Sequence, residues 1–494
     1  MHTAQTSKSA HIISELLSNE KYEEVFDYAR KINDSQCYLT IANHFLTSSQ
    51  SYLSEKFYLK ALEVDPENSS ILSALGSYYF GIKNFNASEE FHLKALAYNP
   101  EDPRSLCDIG SIERQKGNFK KAGEFYEKII DLGKDNEFVY ANMGIMHLYM
   151  RDVEKGREFL NKALEINPSN KTINFYNSFA LFKSGEYAKA FKCYEGREWI
   201  RSRPPGIEWT GLPARKILVM PEQGYGDMIQ FSRYIKDARK ISKGIILLCP
   251  KELYRLFKNI DGADEVVEFN ANDSIDLCED NKESTGWRKM FDWFKGVKQQ
   301  EENALYENYT RIMSLPSVLD IDVENQSLPD NLFKINNEDI LRWGSLTTTK
   351  KKKVGLCWNS RLEDQPRSID LKHFEPLFAL KDYQFYSLQK DNNDQLKDYP
   401  NIKSYTEEFE DFYDTAAFIE NLDLVISVDT AVVHLAGSLR KKTYLLLNDW
   451  CCWRWSGELS TFWYPEVEIF RQLESGDWSG VIQKVMDKLK CEDV

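Results

Sequence analysis

Two stretches of this chain carry the residue types that acid–base and anion-binding chemistry need. The first, ILVMPEQGYGDMIQFSRYI, runs from Ile217 to Ile235 and sets Gly224, Gly226 and Asp227 where an apolar strand gives way to helical spacing. Glycines there let the backbone turn tightly and approach a ligand, and the helix behind them offers free N–H groups. Asp227 can cap that helix or act as a base facing a ligand. The second stretch, LVISVDTAVVHLAGSL, runs from Leu424 to Leu439 and delivers Asp429 and Thr430 to a helix start, with His434 in the first turn or just beyond. Asp429 or Thr430 can cap this helix, whose dipole favours a phosphate. His434 is either a hydrogen-bond donor to that phosphate or a satisfied core histidine. A third loop, CWNSRLEDQPRSI, holds Arg361 and Arg367 after an apolar strand. Arginine suits bidentate phosphate contact, and a surface ion pair is the alternative.

The elements that must position these residues alternate. After RSRPPGIEWTGLP, strand-like KILVM, GIILLCP and ADEVVEF are separated by a helix over about 227–241 and the helical segment ELYRLFKNI. The pattern weakens from Ala271 to Gln300, and SLTTTKKKK at Ser345–Lys353 reads as a linker. A second series follows, with strands in KVGLCWNS, YQFYSLQ, IKSYT, DLVISVD, KTYLLL and VEIFRQ, and helices in LKHFEPLFAL, FYDTAAFIENL, AVVHLAGSL and WSGVIQKVMDKLK. Such βαβ series predict parallel sheets with helices on both faces. Ligands of these sheets lie beyond the carboxyl ends of the strands, so two lobes would share one cleft.

The first two hundred residues are periodic. KALEVDP, KALAYNP, KIIDLGK and KALEINP end at positions 66, 100, 134 and 168, a constant step of 34. Gly76, Gly110 and Gly144 keep that step, as do the columns Phe85, Phe119, Val153, Tyr187 and Ser88, Ala122, Gly156, Ala190. A period of 34 with small and large residues at these places looks like the tetratricopeptide repeat, a stack of helical pairs forming a superhelix with a concave groove. The array would bind a protein or peptide, or else pack on the next domain or make a homo-oligomer.

Composition narrows the class. A formal net charge of -14, with Lys350–Lys353 as the dense basic run, argues against a nucleic-acid partner. No apolar run approaches the ~20 residues of a membrane span, and the N-terminal stretch lacks a signal-peptide core, so a cytoplasmic location is expected. The nine cysteines show no zinc-type spacing, and adjacent Cys451 and Cys452 read as reduced thiols.

PEQGYGDMIQFSRYI, YSLQK, DLVISVDTAVVHLAGSL and WRW (Trp453–Trp455) together resemble a bacterial group that joins tetratricopeptide repeats to a domain like the ADP-heptose:lipopolysaccharide heptosyltransferases, family 9 of the glycosyltransferases. The layout of repeats plus two Rossmann-like lobes is also similar to the protein O-GlcNAc transferases. The resemblance implies an α-helical tetratricopeptide superhelix followed by an α/β GT-B fold. It divides the chain into an N-terminal helical cap (1–36), repeats (37–200), an acceptor-side lobe (201–345) and a nucleotide-sugar donor lobe (346–494). It further implies a metal-independent, inverting glycosyltransferase with no cofactor beyond a nucleotide-diphosphate sugar as co-substrate. The acceptor would be a protein or glycan recruited by the repeats. Asp227 takes the role of general base. Asp429, Thr430 and His434 would hold the diphosphate and sugar, helped by Arg367 or Arg361, with Gly224 and Gly226 giving close backbone approach. The chain departs from the family in having Ala431 where glycine often follows Asp-Thr. Asp320–Asp322, DID, lies in loop-like sequence and reads as solvated charge rather than a metal site. Two other functions stand beside the transferase: an interaction scaffold with a degenerate transferase domain, which would have no nucleotide affinity, and a sugar-nucleotide epimerase, which would need no acceptor.

Overall fold

The computed structural model describes residues 12–19, 21–47, 52–197, 206–269, 306–330, 332–360, 367–391, 393–457 and 459–492. The chain divides after Ile173 into two compact units. The irregular stretch from Ala271 to Gln300 and the candidate Arg361 lie outside the described residues.

The first unit is helical. It opens with α1 (12–18), α2 (Tyr22–Ile32), α3 (Ser35–Leu46) and α4 (Tyr52–Val64). The periodic region supplies α5 (Ser69–Gly81), α6 (Phe85–Tyr98), α7 (Pro103–Gln115), α8 (Phe119–Asp131), α9 (Glu137–Tyr149) and α10 (Val153–Ile166). Successive helices pack in pairs, α5 on α6, α7 on α8 and α9 on α10. Side-chain caps start many of them: Asn68, Asp102, Asn136 and Asp152 each accept a backbone N–H of the following first turn. The glycine column has a steric cause. A Cβ added at Gly76, Gly110 or Gly144 would lie 2.8, 2.7 or 2.6 Å from His92, Tyr126 or Leu160 respectively. Each of these is a large side chain on the partner helix, and the three keep the same step of 34. The turn between paired helices needs one left-handed residue, and Lys83, Gly117, Arg151 and Gly185 supply it at φ 61, 81, 68 and 78°.

The second unit begins within α11 (Lys171–Lys183), which is followed by α12 (Tyr187–Tyr194). By sequence this pair continues the 34-residue register. Then come β1 (Ile207–Glu208), β2 (Ile217–Met220), α13 (Tyr225–Phe231), α14 (Ile235–Ile241), β3 (Ile245–Pro250), α15 (Lys251–Phe257), β4 (Glu265–Phe269) and β5 (Asn308–Arg311). The helix expected over 227–241 is thus two helices separated by a 3-10 turn at Ser232–Tyr234. After α16 (Leu315–Val318) and α17 (Asn337–Leu346) the second series has β6 (Lys352–Cys357), α18 (Glu375–Phe378), β7 (Tyr383–Ser387), β8 (Lys403–Ser404), α19 (Phe412–Glu420), β9 (Leu424–Val428), α20 (Ala431–Ser438), β10 (Thr443–Leu447), β11 (Val467–Arg471) and α21 (Trp478–Glu492). The basic run is divided: Lys350 and Lys351 precede β6, and Lys352 and Lys353 belong to it.

The first sheet has the order β1-β5-β2-β3-β4 and the second β11-β10-β9-β6-β7-β8, with parallel pairing among the described strands. β2, β3, β9 and β10 are buried along their whole length, as continuous apolar runs in parallel sheets should be. The architecture therefore matches the expectation of a helical repeat array followed by two parallel α/β sheets. In each sheet the strand order reverses once next to its first long strand, between β2 and β5 and between β6 and β9. Crevices open beyond the carboxyl ends at such reversals. Among the described residues no helix is long and apolar enough to cross a membrane.

Candidate active site

β2 ends at Met220, in register with Arg311 of β5, so the loop Pro221–Gly224 leaves the sheet at its reversal point. The tight turn in this loop is made by Gln223, left-handed at φ 61°, rather than by a glycine. Gly224 is the N-cap of α13 with an ordinary φ of -89°. The loop is held from α12 and just beyond it. Tyr194 accepts a hydrogen bond from Gln223 Nε2 at 2.7 Å, and Arg197 grips Glu222 in a fork of 2.5 and 2.9 Å. Asp227 stands at the third helical position, and its Oδ2 accepts the Gly224 N–H at 3.0 Å. The carboxylate therefore caps the helix from inside its first turn.

β9 ends at Val428, beside β6, and Thr430 caps α20 by accepting the Val432 N–H at 3.3 Å. Asp429 is buried and receives Arg367, whose Nη1 lies 3.3 Å from Oδ2 and 3.4 Å from the Asp429 carbonyl oxygen. Arg367 and Asp429 thus meet at the reversal point of the second sheet. His434, 5% exposed, has its Nδ1 3.0 Å from the Tyr464 hydroxyl and its ring 5.2 Å from that of Trp455.

The two junctions touch, because α13 packs on α20. At the contact a Cβ on Gly226 would lie 2.7 Å from His434 Cδ2. The close approach that Gly226 permits in this structure is therefore to another helix's side chain. Arg454, from the short 3-10 turn Trp453–Trp455, closes the arrangement. Its Nη2 donates to Asp227 Oδ1, its Nε to Gln230 Oε1 at 2.7 Å, and its Nη1 to Cys452 Sγ at 3.1 Å. Burial opposes the Arg454 charge, but Asp227, Cys452 and Tyr194 together outweigh it and raise the Arg454 pKa. Burial, followed by the charges of Arg454, Arg233 and Arg367, pushes His434 well below the usual histidine range. Three guanidinium groups thus face two carboxylates, Asp227 and Asp429, around a neutral imidazole.

Asp227, Gly224 and Gly226 occupy one junction, Asp429, Thr430, His434 and Arg367 the other, and one helix contact joins them. The sequence reasoning did not single out Arg454, Gln230 or Arg233. WRW was visible as a motif, but nothing in the linear order places it on Asp227, 227 positions away. Asp320 pairs with Lys192 at 2.9 Å, and Asp322 accepts from Asn325 at 2.7 Å. Among the described residues no group of three His, Cys, Asp or Glu could hold a metal ion.

The tetratricopeptide repeat model matches residues 103–136 and 139–170. Protein FlbA of Caulobacter vibrioides is 21% identical over 341 residues, which is 64% of this chain and 55% of that protein. The chain thus spans about half the length of that relative. Among solved structures, the glycosyl transferase family 9 protein from Veillonella parvula DSM 2008 is 12% identical, covers 57% of this chain and 97% of its own, and has a TM-score of 0.42. PilF of Pseudomonas aeruginosa is 21% identical over 34% of this chain and 76% of its own, with a TM-score of 0.30.

The helix contact predicts that Gly226→Ala costs about 1–3 kcal/mol in urea unfolding, because the added methyl must push α13 away from α20. The neutral His434 predicts a pH effect. Once unfolded, this imidazole takes up a proton below about pH 6.5 while the folded one resists it, so the unfolded state binds more protons. Stability should therefore be complete above about pH 6.5 and fall as the pH drops towards the folded value, by at most about 1.4 kcal/mol per pH unit from this group. Urea unfolding from pH 8 to pH 5 checks it, and His434→Gln should flatten that part of the profile.

Proposed function

We propose that the second unit is a glycosyltransferase that moves a sugar from a nucleotide-diphosphate donor to a hydroxyl of a protein or glycan acceptor. The observation that carries this reading is the packing of α13 on α20. It sets a carboxylate from one sheet's reversal point against a helix start, an arginine and a neutral histidine from the other's.

In this reading Asp227 accepts the acceptor's hydroxyl proton as the new C–O bond forms at the anomeric carbon. The bond from that carbon to the diphosphate oxygen breaks, and the diphosphate leaves with the electron pair. Its charge meets the N–H groups at the start of α20 and the guanidinium of Arg367. A neutral imidazole at His434 retains one N–H to donate. Preorganised donors of this kind need no metal. One displacement with one base inverts the anomeric centre. Stacked helical pairs of this kind form grooves that take up peptides, and the repeats would recruit the acceptor in that way.

The first test is thermal unfolding with ADP, GDP, UDP, CDP and their sugar conjugates. A ligand at about 100 times its Kd stabilises by about 2.7 kcal/mol, a shift of a few degrees. A shift confined to one nucleotide and its sugars supports the donor site and names the base. No shift with any of them overturns the transferase and leaves a scaffold. Asp227→Asn should keep the nucleotide shift and lower the rate of sugar transfer by about 10²–10⁴-fold. Unchanged turnover in that variant would remove Asp227 from the role of base.

A further inference from the structure

Both groups that hold the Asp227 carboxylate trace back to the helical pair α11–α12 and Arg197 just beyond it. On one side, Gly224 donates to Oδ2 from a loop that Arg197 and Tyr194 pin through Glu222 and Gln223. On the other, Arg454 donates to Oδ1 from a segment that α11 and α12 grip directly. Phe182 stacks on Trp453 with centroids 3.9 Å apart and planes 12° apart. Lys183 Nζ donates to the Cys451 carbonyl oxygen at 2.7 Å, and Tyr187 shares a 3.0 Å hydrogen bond with Ser456. From the far side Arg471 of β11 donates to the Trp455 carbonyl oxygen at 2.6 Å. The Arg454 guanidinium lies 4.3 Å from the Trp453 ring centroid, so the stacked indole and the arginine are one packed unit. All three guanidinium nitrogens of Arg454 have partners, which leaves it built in rather than free to reach a ligand.

We propose that Arg454 is the positioning residue for Asp227, and that α11–α12, although it reads as the last repeat in sequence, is the template that holds both Arg454 and the Gly224 loop in place. The catalytic part of this proposal rests on the transferase reading. A carboxylate fixed at both oxygens keeps one orientation towards the acceptor, and a displacement of about 1 Å in such a group can cost about 10²-fold in rate.

The test uses the full chain with Phe182→Leu, Arg454→Lys and Arg454→Ala. Release of nucleoside diphosphate from ADP-, GDP-, UDP- and CDP-sugars, with water in place of the acceptor hydroxyl taking the sugar, gives kcat and KM, and the nucleotide-induced thermal shift gives donor binding independently. Phe182→Leu should lower kcat about 10-fold and Arg454→Lys about 10²-fold, with KM and the thermal shift nearly unchanged. Arg454→Ala should lose more, and free guanidinium should restore part of it. A donor affinity that falls in parallel with kcat would make Arg454 a donor ligand and overturn the proposal. So would an unchanged kcat in Phe182→Leu. A wild-type chain that neither binds nor turns over any of these sugars defeats the transferase reading instead. The positional claim is then decided by a double-mutant cycle of Phe182→Leu with Asp227→Asn in urea unfolding. Coupling of about threefold or more in the unfolding equilibrium supports it, and additivity overturns it.

Discussion

The site depends on the approach of α13 to α20, and that approach depends on the absence of a side chain at Gly226. Any Cβ there would run into His434, so the two junctions could not close to their present distance. Everything chemical follows from the closure. Asp227 and the Thr430 cap come from different sheets, and this helix pair brings their neighbourhoods together. The contact also dehydrates His434, which is why the imidazole stays neutral among three arginines.

Charge is arranged around that contact with little freedom. Asp227 and Asp429 are each met by an arginine, and Arg233 donates to the Trp463 carbonyl oxygen at 2.9 Å. The surplus of one positive charge is buried, where effective interactions are stronger than in water. The same residues cap helices and pair ions. Asp227 shows this most plainly, since capping α13 also fixes where its carboxylate lies.

The helical array shows how a period can be partly hidden. The glycine, large-apolar and small-residue columns were legible because chemical character repeats every 34 positions. The left-handed turn at 83, 117, 151 and 185 repeats as strictly, but its residues are Lys, Gly, Arg and Gly. A backbone conformation recurs there without a recurring side chain, so composition could not reveal it. Within the α/β unit the same limit appears at Gln223. The turn expected from Gly224 falls on its neighbour, because Tyr194 and the Arg197–Glu222 fork hold that loop from outside.

The sequence by itself determined most of the elements and most of the candidate residues. Apolar runs without alternation announced the buried parallel strands, and the residues at their carboxyl ends announced Asp227, Asp429 and Thr430, because both signals are local to a few positions. Tertiary structure alone decided the partners. That Arg454 meets Asp227, that Gly226 faces His434, that Phe182 stacks on Trp453 and that Arg367 reaches Asp429 are contacts across 62 to 271 positions. They are set by strand order and helix packing, which local propensity does not encode. The physical reason is that a helix or strand is chosen by its own few residues, while a site of this kind exists only where two sheets end facing the same space.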